Sequence, residues 1–212
     1  MKIDLEHIHH WMCAIRESKD PKRTLDAFWR GQINSKIWLI ENLSSYITNH
    51  VTVDIHGGWV GVLASLMFQS DLPIKSIRSI DIDPECELIA RTMNKKEEIL
   101  GQFTAITADM CNTRSDADVI INTSCEHISQ FDYDMWLNDA FETSLFVLQS
   151  NNYDISEHIR IAKDLEEFIQ QSHLKNVLWS GELELPLYKR FRSEEHTSEL
   201  QSPCNLVCRL LL

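Results

Sequence analysis

The sequence predicts an α/β fold with a doubly wound, mostly parallel sheet of about seven strands, and three observations carry this prediction. Short β-branched runs recur along residues 51–149, helical segments lie between several of them, and a short connection joins a final pair of strands. Alternating strands and helices are typical of a parallel sheet, because each crossover helix returns the chain to the same edge. With 212 residues, the chain is long enough for one such domain and too short for two ordinary ones.

The amino-terminal segment, residues 1–49, is predicted to be a helical extension or lid. The apolar residues of range 2–18 recur at spacings of three and four, which is the pattern of an amphipathic helix. A second helical stretch begins at Asp20-Pro21 and extends to about Thr48, with a break expected near Gly31.

Residues 50–191 form the predicted sheet domain, in which the strand at 51–55 is expected to be central. Buried strands are predicted where β-branched residues cluster, at 51–55, 77–82, 103–108, 118–122 and 145–149. Helices are predicted between or after these strands, at 60–69, 84–100, 131–140 and 157–172. An antiparallel hairpin then follows, with its strands at 176–184 and 187–191.

The carboxyl-terminal segment, residues 192–212, resembles a sequence of foreign origin. It begins RSEEHTSELQS, which resembles an in-frame translation of a sequencing adapter rather than a protein motif. We therefore interpret it as a non-native tail and set it apart from the fold. On this hypothesis the last strand is truncated, Cys204 and Cys208 are not a metal site, and residues from Arg192 onward make few contacts with the domain. The alternative is a genuine amphipathic tail.

The charge and the cysteine content of the chain limit its possible partners and location. Lysine and arginine number 20 against 32 acidic residues, a formal net charge of −12, so the chain lacks the positive field that holds a polyanion. A small-molecule substrate is therefore favoured over nucleic acid, which the composition does not exclude. The six cysteines are scattered, and neither a signal-peptide pattern nor an apolar run of ~18 residues is present. These features predict a cytoplasmic protein without a membrane partner.

The strongest functional signal is VTVDIHGGWVGVLA at 51–64, a strand that leads into a glycine-containing turn and then a helix. Glycines in such a turn let the backbone approach a ligand and expose the amides of the helix start. By itself the pattern fits an ordinary tight turn as well as a ligand-binding one. The next strand ends in acidic residues at the distance where this kind of sheet places a ribose-binding carboxylate. Asp81 is the expected ribose ligand, and Asp83 is expected to cap the helix that begins with Pro84.

Four ordered motifs resemble those of the class I S-adenosylmethionine (SAM)-dependent methyltransferases. They are DIHGGWVG at 54–61, SIDIDP at 79–84 with LIAR at 88–91, TADM at 107–110, and DVIIN at 118–122 with CEHI at 125–128. The resemblance covers roughly residues 50–190 of the chain. It implies a Rossmann-like SAM-binding domain, SAM as the cofactor, and methyl transfer as the activity.

The same resemblance implies which residues bind SAM. Loop 54–61 would hold its methionine part, Asp81 the ribose, and Asp109 the adenine amino group, while 122–126 would line the pocket beside the methyl group. The implied cofactor contacts are Asp54, His56, Gly57, Gly58, Gly61, Asp81, Ile82, Asp109, Met110 and Asn122.

The loop departs from the family pattern at two positions. Family members usually have glycine where this chain has His56 and Val60, so the loop is bulkier. His56 also breaks the G-x-G-x-x-G pattern of dinucleotide dehydrogenases, which are the competing interpretation.

Candidate catalytic residues follow the fourth and fifth predicted strands. Glu126 and His127 lie just beyond the fourth, and a second Glu-His pair at 157–158 lies beyond the fifth. In an open α/β sheet this edge forms the ligand crevice. His127 is the candidate general base, since imidazole exchanges protons near neutral pH, and Glu126 is its candidate orienting partner. The alternative is that His127 packs against the next helix.

No metal site is predicted from the sequence. His7 and His10 have the i, i+3 spacing of ligands on a helix, but no third ligand accompanies them, and a solvated helix face is favoured. Cys125 as a nucleophile is also disfavoured, because buried cysteines are commonly inert.

The sequence therefore predicts a SAM-dependent methyltransferase that acts on a small polar acceptor of unassigned identity. Two alternatives stay open. One is a SAM-using enzyme of another class, which transfers an aminocarboxypropyl group or cleaves SAM. The other is a non-catalytic SAM-binding protein, suggested by His56 and Val60.

Overall fold

The structure, a computed structural model, describes residues 5–139 and 144–196. Its strands are β1 (Val51–His56), β2 (Ile74–Asp81), β3 (Phe103–Thr107), β4 (Val119–Asn122), β5 (Leu145–Asn151), β6 (Val177–Glu184) and β7 (Lys189–His196). They form one seven-stranded sheet in the order β3-β2-β1-β4-β5-β7-β6. Strands β1 to β5 are parallel, and β7 runs antiparallel to both β5 and β6. The predicted mixed sheet with an antiparallel terminal hairpin is confirmed.

The helices are α1 (Leu5–Glu17), α2 (Pro21–Asp26), α3 (Arg30–Leu43), α4 (Val62–Phe68), α5 (Pro84–Met93), α6 (Lys95–Ile99), α7 (Gln130–Asn138) and α8 (Leu165–Ser172). The Asp20 side chain caps α2 by accepting from the Arg23 amide. The chain breaks between α2 and α3 at 27–29, close to the predicted position. Residues 1–4 and the predicted helix end at Ala140 lie outside the described residues.

The sheet is covered on both faces, and neighbouring residues of one strand reach opposite layers. In β4, Ile121 packs into a core that also contains side chains of α3, α4 and α5. Its neighbour Ile120 packs into a second core with side chains of α7 and α8. Because side chains alternate between the faces of a strand, both faces of β4 are apolar. This explains the uninterrupted apolar run that marks the strand in the sequence.

The predicted helix at 157–172 forms only in its second half, as α8. The backbone amides of Ile159 and Arg160 both donate to the carbonyl of Glu126, at 2.9 and 3.0 Å. The amide of Ala162 donates to the carbonyl of Asn151 at 3.2 Å. These long-range bonds replace helical ones, so tertiary structure overrides the helical spacing of the apolar residues. Asp164 then caps α8.

The second strand of the terminal hairpin extends beyond the predicted end at Phe191. The expectation that residues from Arg192 onward make few contacts is wrong for 192–195, which pair with β5 and β6 and have buried side chains. The Arg192 guanidinium donates to the carbonyls of Trp38 and Leu39. Residues 197–212, with Cys204 and Cys208, lie outside the described residues, and the adapter hypothesis stays a prediction.

The buried end of β7 carries polar groups that a sheet interior disfavours. Arg192 forms an ion pair with Glu194, and burial lowers the pKa of Arg192 to about 9. Within residues 5–139 and 144–196, Glu194 Oε2 and Ser193 Oγ have no hydrogen-bond partner. Each such buried atom costs about 1–3 kcal/mol. The run RSEE is therefore physically unsuited to the strand positions that it occupies.

The three amino-terminal helices fall into two groups: α1 packs on another helix, and α2 and α3 lie beside the sheet edge that ends the parallel strands. Helix α1 packs on α5. Its Trp11 Nε1 donates to Ser65 Oγ of α4 at 2.8 Å, and its His7 Nε2 lies 3.0 Å from Glu97 Oε1 of α6. Helices α2 and α3 instead contribute side chains to a cavity at the carboxyl ends of the parallel strands. The division into a lid (1–49), a sheet domain (50–191) and a tail (192–212) stays a prediction. None of the helices in the described ranges is long and apolar enough to cross a membrane.

Candidate active site

A cavity of about 1020 Å³ opens at the edge of the sheet where the parallel strands end. It is lined by the residues that follow β1, β2, β3 and β4, and by side chains of α2 and α3. This edge is where open α/β sheets bind their ligands. Pockets for small ligands measure about 300–1,000 Å³, so this cavity has room for a cofactor and a second small molecule.

The turn after β1 is locked to the end of β2. A side chain at Gly58 would place its Cβ 2.0 Å from Ser79 Oγ, so Ser79 would have to move to accommodate it. Trp59 has a φ of 48°, a left-handed conformation that is rare for a bulky residue. In this conformation its amide donates to Asp81 Oδ2 at 2.8 Å. Gly57, Gly58 and Trp59 all line the cavity, and their backbone is held rigidly against β2.

The two aspartates after β2 have different surroundings. Asp81 lines the cavity, and its other oxygen, Oδ1, accepts from the amide of Asp83 at 3.0 Å. Each Asp81 oxygen keeps a further lone pair for a ligand. Asp83 accepts from the Glu85 amide at 2.9 Å, which caps α5 and lowers the Asp83 pKa, as does the neighbouring Arg23 guanidinium. The predicted cap at Asp83 is confirmed, and the ribose role of Asp81 stays a prediction.

Four more of the expected cofactor contacts lie farther along the same wall. Asp109 follows β3, caps a short 3-10 turn by accepting from the Cys111 amide, and lines the cavity with Met110. Ile82 also lines it and is largely exposed. At the end of β4, the Asn122 amide lies 3.7 Å from Met110 Sδ, which joins the β3 and β4 sides of the cavity.

Three other expected contacts do not line the cavity. The Asp54 carboxylate is buried in an ion pair with Arg78 and also accepts from Ser115. Gly61 precedes the first residue of α4 and has a φ of 79°; a Cβ at this position would lie 2.7 Å from Asn94 Nδ2. His56 is fully buried and packs edge-on against Trp136, with 5.3 Å between ring centroids. These three residues therefore support the loop without lining the cavity.

His127 and His158 form the opposite end of the cavity. Both line it, and their rings meet edge to face with centroids 4.7 Å apart. His127 Nδ1 lies 3.0 Å from the carbonyl oxygen of Glu157, and His158 Nδ1 lies 2.6 Å from that of Tyr153. Since a carbonyl only accepts, Nδ1 carries the proton in each ring and Nε2 keeps a free lone pair. His127 therefore faces the cavity rather than the core.

Glu126 is buried beside these histidines, and its hydrogen bonds go elsewhere. Its Oε1 accepts from Asn151 Nδ2 at 2.5 Å and from Arg190 Nη1 at 2.9 Å. In the part of the chain that the structure describes, Oε2 has no hydrogen-bond partner. The group that orients the His127 ring is thus the Glu157 carbonyl, whereas the sequence suggested Glu126.

The sequence reasoning missed two cations of this end of the cavity, Lys36 and Arg190. Lys36 comes from α3, is buried, and donates to Gln32 Oε1 at 2.9 Å. Burial lowers its pKa to about 7, and the nearby charge of Arg190 acts in the same direction. The available signal was a lysine placed between Ile33 and Ile40 on the apolar face of a predicted helix.

Cys125 is unsuited to nucleophilic attack. The thiol is buried behind the cavity wall, 3.7 Å from the carbonyl of Asn122. Burial raises its pKa to about 12, so the reactive thiolate does not form near neutral pH.

Comparison with known proteins supports the fold and gives no closer relationship. Neither a model of a protein family nor a curated protein sequence matches the chain. Many solved structures do. The N-methyltransferase NodS from Bradyrhizobium japonicum, in complex with S-adenosylhomocysteine (SAH), has a TM-score of 0.60 and 13% identity, over 88% of this chain and 98% of that one. The magnesium protoporphyrin IX methyltransferase ChlM from Synechocystis, with bound SAH, has a TM-score of 0.59 and 13% identity, over 90% and 93%.

Another neighbour is in complex with a larger partner. The protein aTrm5, in complex with a leucine tRNA, has a TM-score of 0.56 and 13% identity, over 76% of this chain and 44% of that one. The chain thus has the Rossmann-like methyltransferase fold. At these identities the likeness shows the fold alone.

Proposed function

We propose that this protein is a SAM-dependent methyltransferase that acts on a small polar acceptor. The observation that carries the proposal is that one cavity connects the glycine turn and Asp81 with His127. A methyl transferase needs this arrangement, because the sulfonium of the donor and the nucleophile of the acceptor must lie in line within one site.

The cofactor would lie at the β1–β2 end of the cavity. There Gly57 and Gly58 line the part of the cavity where the methionine part would lie, and Asp81 offers one free lone pair on each oxygen to the ribose hydroxyls. Asp109 would bind the adenine amino group, and Met110 or Ile82 would flank the ring. The bulky His56 side chain packs against Trp136 and is not part of the cavity lining.

The acceptor would lie at the His127 end. His127 Nε2 is free to take the proton of an acceptor hydroxyl or amine, and the Glu157 carbonyl stabilises the resulting imidazolium at Nδ1–H. The acceptor atom then forms a bond to the methyl carbon as the carbon–sulfur bond breaks. The bonding electrons stay on sulfur, and SAH is released.

Size and charge favour a small acceptor. The chain carries a net charge of −12, and the cations nearest this end, Lys36 and Arg190, are buried inside the cavity wall rather than spread over a surface. Such buried cations suit a small polar molecule better than a nucleic acid backbone. The four cysteines of the described residues are free thiols, which fits our further proposal of a cytoplasmic location.

Calorimetric titration of the full chain with SAH tests cofactor binding. We expect saturable binding at one site, and no binding by a folded sample would overturn the proposal. Incubation with SAM and a panel of small hydroxyl and amine compounds then tests the reaction. SAH as the product supports methyl transfer, whereas methylthioadenosine would show aminocarboxypropyl transfer or SAM cleavage. Binding without any turnover over a broad panel would favour a non-catalytic role.

A further inference from the structure

Three metal-ligating side chains meet at the acceptor end of the cavity. Ligand atoms of Glu126, His127 and His158 all lie within 4.8 Å of one another. The three residues come from two separate segments, just after β4 and after β5, and all line the cavity. Two imidazoles and one carboxylate are a common ligand set for divalent transition metals, which leaves further positions open for water or substrate.

Both imidazoles are held in the way that is typical of metal-binding histidines. Nδ1 of His127 donates to the Glu157 carbonyl, and Nδ1 of His158 donates to the Tyr153 carbonyl. In metal sites the second ring nitrogen is typically held in this way, which fixes the tautomer and the ring orientation. The free Nε2 atoms are the ones that remain for a ligand.

The carboxylate supplies the third position. Glu126 is 3% exposed, and its Oε1 is occupied by Asn151 and Arg190. Its Oε2 lacks any hydrogen-bond partner among residues 5–139 and 144–196. A buried carboxylate oxygen left unpaired is costly, and a cation between the two rings would satisfy it.

We propose that Glu126, His127 and His158 bind a divalent first-row transition metal ion through Oε2, Nε2 and Nε2. This inference rests on the proposed methyltransferase function and changes one step of it. An acceptor hydroxyl bound to the ion loses its proton to solvent, because a metal ion acidifies a bound oxygen. The oxygen then attacks the SAM methyl carbon, the carbon–sulfur bond breaks, and SAH leaves. His127 is then a ligand, and the ion replaces it as the group that activates the acceptor.

His158 distinguishes the two roles of the cluster. If His127 is a general base, His158 only packs against its ring, and His158→Asn should change turnover little. If the cluster holds an ion, His158→Asn removes a ligand and should weaken metal binding at least about 10-fold, and turnover should fall with it. His158 is partly exposed at the cavity rim, so its replacement leaves the buried Glu126–Arg190 pair in place.

The test is titration of chelator-treated full-length protein with Zn²⁺, Co²⁺ or Mg²⁺ alone, followed by calorimetry and by the visible absorption of Co²⁺. We expect one site for Zn²⁺ and Co²⁺, weaker Mg²⁺ binding, and at least about a 10-fold loss of affinity in His127→Asn and in His158→Asn. The matched control is His173→Asn, an exposed histidine that pairs with Asp134 away from the cavity.

Three results would overturn the inference. One is that a folded sample, checked by circular dichroism, shows no saturable binding. Another is that both histidine variants bind as the parent does. The third is an intense thiolate band with Co²⁺, which would place the ion at a cysteine, such as Cys13 beside His9. SAH titration of the same metal-free sample is independent of these results, so it decides separately whether the proposed cofactor site exists.

Discussion

The two ends of the cavity are built in different ways. At the cofactor end, the turn at 57–59 is tied to β2 by two amides: that of Gly58 donates to the Ile80 carbonyl, and that of Trp59 donates to the Asp81 carboxylate. At the acceptor end, Lys36, Glu126 and Arg190 come from three distant parts of the chain and bring buried charges together. The cofactor end thus presents mainly backbone groups and one carboxylate to the cavity, whereas the acceptor end presents side chains that only the folded chain brings together.

This difference predicts that the two ends can be disabled separately. Substitutions at the acceptor end should change turnover while cofactor affinity is kept, and substitutions at the cofactor end should do the reverse. Effects that spread to both ends would contradict the division.

The largest expected effect is at His127. His127→Asn should lower turnover by about 10²–10⁴, because proton transfer by a positioned base contributes on that scale. The affinity for SAH should change less than about twofold, since the ring is at the far end of the cavity from Asp81. Turnover is measured as SAH formation with the acceptor that the compound panel identifies, and affinity by calorimetry.

His50→Asn is the control for the His127 variant. His50 is exposed, precedes β1 and lies outside the cavity lining. If His127→Asn keeps its turnover, the site acts only by positioning the acceptor against the methyl donor, without a general base. If the variant does not fold, His127 has a structural role.

A smaller effect is expected at the cofactor end. Asp81→Ala should weaken SAH binding by about 1–3 kcal/mol, the scale for leaving buried polar partners unsatisfied. Asp83→Ala should weaken it less and chiefly lower stability by about 1 kcal/mol, because its carboxylate caps α5. Calorimetry and denaturant unfolding of both variants give the two quantities. A larger binding defect in Asp83→Ala would place the ribose ligand two positions later than we propose.

The contrast between the ends also explains what the sequence could reveal. The strand, turn and acidic residue of the cofactor end are local features, and they predicted the sheet, the turn and the Asp83 cap. Lys36 and Arg190 belong to segments whose contact with Glu126 depends on the whole fold. No spacing rule connects residues so far apart in the chain, so this part of the site could not be predicted.

The fold showed the same limit in two places. Range 157–164 has helical spacing of its apolar residues, yet its amides bond to Glu126 and Asn151. The run from Arg192 to Glu195 reads as a poor strand, yet it pairs along both β5 and β6. In both places long-range hydrogen bonds outweigh the local sequence pattern.

Lys36 provides a pH test of the acceptor end. Its folded-state pKa is about 7, against an ordinary value of 10.5. Between these values the unfolded chain binds more protons, so the free energy of unfolding rises with pH across that window. Lys36→Met should remove this rise. At pH 7 and below it should be more stable than the parent by on the order of 1–4 kcal/mol, because a buried charge is replaced by an apolar group.

Urea unfolding at pH 6, 8 and 10 measures this difference. Lys22→Met is the control, since Lys22 is an exposed lysine on α2. Parallel stability curves for the parent and Lys36→Met would show that Lys36 is charged equally in both states, which would remove the buried cation from the description of this end.

The smallest expected effect is at His56, behind the cofactor end. Burial lowers its pKa to about 4 from an ordinary 6.5; the nearby Asp54 opposes this shift and Arg78 adds to it. Between pH 6.5 and 4 the unfolded chain binds more protons, so stability should fall as the pH falls through that window. His56→Phe keeps a ring against Trp136 and removes two ring nitrogens that have no partner in the described ranges.

We therefore expect His56→Phe to flatten the stability curve between pH 6.5 and 4 and to raise stability at pH 5 by about 1–2 kcal/mol. Its SAH affinity should equal that of the parent, because the ring does not line the cavity. This variant separates two explanations of the unusual loop. Retained SAH affinity means that His56 only supports the turn from behind, as the geometry indicates. A marked loss of affinity would mean that an imidazole nitrogen takes part in cofactor binding, and the cofactor end would then depend on side chains as the acceptor end does.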